Sequence, residues 1–173
     1  MKQRTIKSDI EIVGIGLHKG VPVRMRLEPL PSNSGIIIYR SDAAVTIPLK
    51  KEYVVDTKMA TVLGKDGVVV STIEHLLSAI YAYGIDNLRV VLDNDEIPIL
   101  DGSASGYCML IEEAGIQEQE EGKKAIKIKK EVVVTTEDGK RVSLKPSNRI
   151  VYDLRLNLII LQLDNKNFIL ITQ

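Results

Sequence analysis

Glu74 and His75 are neighbouring residues whose types could support hydrolytic chemistry. They lie in residues 71–83, STIEHLLSAIYAY, where apolar residues recur at helical spacing and Gly84 follows as a stop signal. The sequence therefore places both residues in the first turn of an amphipathic helix, where the helix dipole favours a carboxylate and disfavours a charged imidazole. A neutral imidazole can bind a metal, and the adjacent carboxylate can accept a proton from metal-bound water.

The same pattern has a purely structural interpretation. Ser71 or Thr72 can cap the helix through its hydroxyl, and Glu74 stands where a capping box places a carboxylate. Glu74 would then be only a capping residue, and His75 a surface or half-buried histidine. The helix pattern taken alone favours this second interpretation.

A predicted hairpin near the amino terminus carries the other histidine of the sequence. Residues 5–13 and 21–27 alternate apolar and polar side chains, and the glycine-rich segment GIGLHKG, residues 14–20, separates them. His18 lies on this turn. Turn statistics favour an exposed residue with no further role.

The next elements are mainly strands. We predict a strand at 36–40, an extended segment at 44–53 and a hairpin about GKDG at 64–67. A continuous apolar strand at 88–92 and a second helix at 106–114 follow.

The loop at residues 93–98 holds three carboxylates, those of Asp93, Asp95 and Glu96. Such a loop could bind a cation, but the spacing does not match an EF-hand. A solvated turn is the favoured interpretation.

Composition excludes several classes of protein. The chain has 173 residues, of which 45% are hydrophobic, and equal numbers of basic and acidic residues, 23 each. There is no basic excess that would indicate nucleic-acid binding, and the single Cys108 excludes an internal disulfide. Neither a signal peptide nor a membrane-spanning segment is recognisable, so we expect a cytoplasmic protein.

A change in composition predicts the domain organisation. We assign residues 1–118 to a first domain, the polar residues 119–124 to a linker and residues 125–157 to the incomplete start of a second, similar domain. The predicted fold class is α+β. We expect a two-layer domain in which a mainly antiparallel sheet carries two helices on one face.

Several segments together resemble one known family, the UDP-3-O-acyl-N-acetylglucosamine deacetylases, which are zinc enzymes of lipid A synthesis. The resemblance extends over roughly residues 2–156 and is carried by KQRTIK, GIGLHKG, DTKMATVL, STIEHLLSAIYAYGIDNLRVVL and EIPILDGSASGY.

The resemblance implies roles for individual residues. His75 matches a zinc ligand, and Glu74 matches the general base that activates the zinc-bound water. His18 matches a histidine near the site, and Met59 falls where the family contacts substrate. The implied reaction removes the acetyl group from UDP-3-O-acyl-N-acetylglucosamine.

The sequence also departs from the family pattern. The family's remaining zinc ligands lie in a His-Lys-x-x-Asp segment, and no histidine follows position 75 here. Since a catalytic zinc usually takes about three protein ligands, we expect this polypeptide to be inactive alone. The alternative is a non-catalytic domain that binds a nucleotide-sugar or a partner.

The last residues differ most from the family pattern. After residue 157 the family continues with a His-Pro-containing segment, whereas this chain reads LIILQLDNKNFILITQ. We interpret residues 158–173 as the product of a shifted reading frame, with a natural truncation as the alternative. The apolar residues 158–163 predict a strand edge suited to self-association, and a separate chain could supply the second domain.

Overall fold

The computed structural model describes the backbone of residues 1–160 and 163–171 and the side chains of residues 1–155. It divides into two compact units, residues 1–123 and the residues from 124 onward. The first unit contains two helices, α1 (Glu74–Ala82) and α2 (Ser105–Ala114). Its strands are β1 (Lys2–Ile6), β2 (Ile10–Ile15), β3 (Pro22–Pro29), β4 (Ile36–Arg40), β5 (Val45–Pro48), β6 (Val54–Asp56), β7 (Val62–Lys65), β8 (Val68–Val70), β9 (Leu88–Leu92) and β10 (Ile116–Gly122).

A five-stranded sheet forms the frame of the first unit. Its strand order is β2-β3-β9-β4-β5, and its neighbouring strands are antiparallel except for the parallel pair β4–β9. Strands β6, β7 and β8 form a separate small sheet, and β1 pairs with β10. The α+β class predicted from the sequence is therefore confirmed.

One face of the five-stranded sheet packs against both helices. Alternate residues of its strands are buried, as the period of two requires, and they share one core with the buried residues of α1 and α2. The helical contribution consists of Leu76, Ala79, Ile80, Tyr107 and Ile111. Burial of this apolar face holds α1, and with it Glu74 and His75, on the sheet.

The local turn signals are confirmed. Residues 66 and 67, between β7 and β8, both have positive φ, at 53° and 79°, as a tight two-residue hairpin turn requires. Gly84 and Gly115 follow the two helices with φ of 61° and 74°. Glycine adopts these values without steric cost, so both helices end where the sequence predicted.

The prediction of one strand over residues 5–13 is wrong. β1 ends at Ile6 and β2 begins at Ile10, and the two strands belong to different sheets. The polar, exposed residues 7–9 separate them. A polar interruption of this kind allows the chain to leave one sheet and enter another.

The segment predicted as a polar linker is largely β10. Its residues pair with β1, from Lys2 opposite Gly122 to Ile6 opposite Ile116, with a shift in register between Lys2 and Arg4. Most of its side chains are exposed, so its composition is that of a loop although its backbone is paired. The division into residues 1–118 and 125–157 stays a prediction.

The second unit consists of two hairpins. β11 (Val132–Thr135) pairs with β12 (Arg141–Leu144). β13 (Asp153–Ile160) pairs with β14 (Leu163–Ile171), so much of the segment assigned to a shifted reading frame is extended. Residues 161, 162, 172 and 173 of that segment lie outside the described residues.

Within the described residues, neither helix has the length and apolar character that crossing a membrane would require.

Candidate functional site

The start of α1 is attached to the loop that follows β9. The Ser71 amide donates to the Asp95 carbonyl at 2.9 Å, and the Ile97 amide donates to the Ser71 carbonyl at 3.1 Å. These bonds form a short parallel bridge between Ser71 and Glu96. The residues that precede α1 therefore lie beside the acidic loop.

Capping of α1 by Ser71 or Thr72 was predicted wrongly. Ile73 is the N-cap residue, and no side chain caps the helix. The Thr72 hydroxyl instead donates to Glu96 Oε1 at 2.8 Å. Thr72 also has a φ of 59°, a left-handed conformation that is unusual for a β-branched residue.

Glu74 lies in the first turn of α1, as predicted, and its side chain is exposed. The Thr61 backbone amide donates to both carboxylate oxygens, at 3.3 and 3.2 Å. Among the residues whose side chains the structure describes, none forms an ion pair with Glu74. The carboxylate is thus oriented by one backbone donor and open to a ligand.

His75 is half-buried beside Glu74. The charge of a protonated His75 affects the pKa of Asp101. Hydrogen bonds from the Ser103 amide and hydroxyl are the main cause of the lowered pKa of Asp101, and a protonated His75 lowers it further. Asp101 is therefore a carboxylate that interacts electrostatically with His75. Sequence reasoning did not single out this residue.

Glu96 is the most enclosed ionisable group near the site. Its side chain is 2% exposed, and it accepts hydrogen bonds from the His18 amide at 3.0 Å and from the Lys19 amide at 3.3 Å. His18 Nδ1 lies 2.8 Å from Glu96 Oε1. Burial raises the pKa of Glu96, but the hydrogen bonds from His18, Thr72 and Lys19 together outweigh burial. The net effect is a lowered pKa and a stable carboxylate.

The interpretation of residues 93–98 as a solvated turn is wrong for Glu96. The other two carboxylates have partners as well: Asp95 pairs with the Lys19 ammonium, and Asp93 accepts from the Arg24 amide at 2.8 Å. The apolar residues that follow Glu96, Ile97 and Pro98, are buried and carry the loop into the core. Those apolar neighbours were the signal in the sequence.

Met59 is exposed, with 83% of its surface accessible, in the loop between β6 and β7. It lies two residues before Thr61, whose amide holds Glu74. His18 reaches the start of α1 through Glu96 and Thr72. The structure thus places Glu74, His75 and His18 at one end of α1, and Met59 in the loop whose Thr61 amide contacts Glu74.

Within the described part of the chain, no group of three or more histidine, cysteine or carboxylate side chains could hold a metal ion. His75 offers one imidazole, whereas a catalytic zinc usually takes about three protein ligands. The described residues alone do not form a zinc site.

Comparison of the sequence with known proteins identifies one family of deacetylases. The sequence profile of the family described as UDP-3-O-acyl N-acetylglycosamine deacetylase matches residues 3–169. Proteins named UDP-3-O-acyl-N-acetylglucosamine deacetylase are 80% identical in Aliarcobacter butzleri and 63% identical in Nautilia profundicola, each over 157 residues or 91% of this chain. The relative from Helicobacter pylori is 59% identical over 150 residues, 87% of this chain.

These matches cover only part of each relative: 52% of the Aliarcobacter protein, 53% of the Nautilia protein and 50% of the Helicobacter protein. The chain spans about half the length of the curated relatives that it matches. The family of these enzymes is zinc-dependent, in keeping with an imidazole and a carboxylate side by side at one helix start. The extent of the profile match and the identity to these relatives show that the chain belongs to the UDP-3-O-acyl N-acetylglycosamine deacetylase family.

Proposed function

We propose that this chain supplies the general base of a zinc-dependent deacetylase acting on UDP-3-O-acyl-N-acetylglucosamine in lipid A synthesis. The observation that carries the proposal is the placement of Glu74. Its carboxylate is exposed at the first turn of α1, beside His75, and is held by the Thr61 amide. A general base must be oriented and reachable, and Glu74 meets both requirements.

The residues have distinct roles in this proposal. Glu74 accepts a proton from the attacking water, and His75 is one of the zinc ligands. The other ligands come from outside the described residues, since these hold no complete metal-binding group. His18 and Met59 contact the substrate from the two loops that flank the start of α1.

The test measures zinc content and acetate release from UDP-3-O-acyl-N-acetylglucosamine. The purified chain is assayed alone and after addition of a polypeptide carrying the remaining half of the Aliarcobacter relative. We expect no turnover alone and turnover after addition.

The matched variants are Glu74→Gln and Glu113→Gln, the latter exposed on α2. Loss of a general base should lower kcat by about 10²- to 10⁴-fold, whereas Glu113→Gln should leave the rate unchanged. Equal rates for the two variants would refute the role of Glu74. Stoichiometric zinc with turnover by the chain alone would refute the prediction that it is inactive by itself.

A second candidate function is non-catalytic binding of a nucleotide-sugar or a partner protein. The lack of a complete metal-binding group in the described residues favours it. Calorimetric titration with the UDP-sugar separates the two: binding that persists while the complemented chain shows no turnover supports the second function. Cytoplasmic location, assembly with a second-domain chain and self-association through a strand edge remain predictions.

A further inference from the structure

The Glu96 carboxylate joins two segments that are distant in sequence but adjacent at the site. It accepts from the amides of His18 and Lys19 on the hairpin turn and from the hydroxyl of Thr72 just before α1. Its side chain is almost fully buried, so each of these bonds forms in a medium of low dielectric constant. Such a group is costly to bury unless every oxygen is satisfied, and here both oxygens are.

The chemistry of the carboxylate fixes the hydrogen on the His18 ring. An ionised carboxylate can only accept hydrogen bonds, so the 2.8 Å contact between Glu96 Oε1 and His18 Nδ1 requires a hydrogen on Nδ1. In a neutral imidazole, Nε2 then carries the lone pair. The His18 side chain is 37% exposed, and the ring edge opposite the buried carboxylate carries Nε2.

The same carboxylate holds Thr72 in its unusual conformation. A left-handed backbone is strained for a β-branched residue, and a charge-assisted hydrogen bond from its hydroxyl can offset that strain. Thr72 is followed by Ile73, the N-cap, and then by Glu74. The conformation of Thr72 therefore sets the direction from which α1 starts.

We propose that Glu96 is a positioning residue of the site. It holds the His18 imidazole with Nδ1–H directed inward, so that Nε2 faces outward as an acceptor for a hydroxyl or N–H of a ligand. Through Thr72 it also fixes the backbone from which Glu74 and His75 project. The identity of the ligand rests on the proposed deacetylase function, whereas the orientation of the ring does not.

The test uses the tautomer of His18 as its readout. The chain has two histidines, so a long-range ¹H–¹⁵N spectrum of the labelled chain shows two imidazoles, and His18→Gln assigns them. At a pH where imidazoles are neutral, we expect His18 to carry its hydrogen on Nδ1. A hydrogen on Nε2 in the wild-type chain would overturn the proposal.

Variants of Glu96 test the cause. Glu96→Ala removes both acceptor oxygens, and we expect the His18 hydrogen to move to Nε2. If that variant fails to fold, Glu96→Gln retains the volume but loses the charge, and the Nδ1–H signal should weaken because a neutral acceptor forms a weaker bond. An unchanged tautomer in folded Glu96→Ala, or an Nδ1–H signal of unchanged strength in Glu96→Gln, would refute the proposal.

Asp95→Asn is the matched control. It removes the neighbouring carboxylate, which pairs with the Lys19 side chain, and leaves the Glu96 bonds in place. We expect the wild-type tautomer in this variant.

Thr72→Val tests the second part of the proposal, that Glu96 fixes the start of α1 through Thr72. Loss of the hydroxyl should shift the amide resonances of Glu74 and His75. Unchanged resonances would refute the connection from Glu96 through Thr72 to α1.

The tautomer measurement needs no catalytic activity. If the deacetylase proposal failed, acetate release would be absent while the Nδ1–H signal persisted. If the positioning proposal failed, the His18 hydrogen would be found on Nε2 whether or not acetate was released.

Discussion

At the scale of single residues, Glu96 shows how burial and hydrogen bonding oppose each other. Burial alone would favour the neutral acid, but five contacts from His18, Lys19 and Thr72 favour the anion, and the anion prevails. In the sequence, only the apolar residues that follow it, Ile97 and Pro98, distinguish Glu96 from Asp93 and Asp95. Its burial depends on the GIGLHKG turn, 78 residues away in sequence.

The lowered pKa of Glu96 predicts a pH dependence of stability. Because the pKa of Glu96 is lower in the folded chain than its ordinary value of 4.5, ionised Glu96 stabilises the folded chain, and the full effect is present at pH values well above 4.5. This stabilisation is lost as the pH falls through the pKa that Glu96 has in the folded chain. We expect the free energy of unfolding to fall more steeply in acid for the wild-type chain than for Glu96→Gln. Urea unfolding at a series of pH values measures this.

The control for this experiment is Glu113→Gln, which removes an exposed charge on α2. Its curve should parallel that of the wild-type chain. Parallel curves for Glu96→Gln and the wild-type chain would contradict the assignment of acid sensitivity to Glu96.

At the scale of elements, α1 was the best predicted part of the chain. The spacing of Leu76 and Ile80 identified its buried face, and Gly84 identified its end, because both signals are local. Its start was predicted less well, since the Thr72 hydroxyl bonds to Glu96 rather than to the helix. Capping statistics describe an isolated helix and not one whose first residues contact a buried carboxylate.

The orientation of α1 leads to a paired prediction. Ile80 is 2% exposed and Tyr81, its neighbour, is 63% exposed. Ile80→Ala should lower the free energy of unfolding by about 2–5 kcal/mol, since it opens a cavity in the core. Tyr81→Ala should change it by about 0.5 kcal/mol or less.

Urea unfolding of the two α1 variants at neutral pH checks this prediction. Similar losses for Ile80→Ala and Tyr81→Ala would mean that α1 packs through a different face.

At the scale of the whole molecule, the two units differ in how much they bury. Among residues 1–155, whose side chains the structure describes, all of the buried hydrophobic residues lie in residues 1–123, whereas the side chains of β11 and β12 are all exposed. An isolated two-stranded hairpin is at best marginally stable in water. The sequence indicated this asymmetry, because helices are predicted only before the change in composition.

This difference predicts a division in amide hydrogen exchange. Amides of β3, β9 and α1 should exchange slowly, through opening of the whole core, whereas those of β11 and β12 should exchange within the earliest time points. Mass spectrometry of peptides from each unit measures the rates. Slow exchange throughout residues 132–144 would contradict the prediction.

Long-range pairing marks the limit of prediction from this sequence. β10 reads as a linker because its side chains are polar, and only its partner β1, more than 100 residues earlier, makes it a strand. Hairpins about GIGLHKG and GKDG were predictable because the pairing residues lie next to a recognisable turn.

Gly16 is buried directly against Glu96, and a Cβ at that position would collide with the carboxylate. In a strain that also expresses the remaining half of the Aliarcobacter relative, a genetic screen should therefore recover Gly16→Ala as a loss-of-function allele that behaves like a lesion at position 96. Glu96→Asp, one methylene shorter, withdraws the carboxylate from the added methyl group and should act as its suppressor, although each change is harmful by itself. Restored function in the double mutant, but in neither single mutant, would show by inheritance alone that the side chains at positions 16 and 96 compete for the same space.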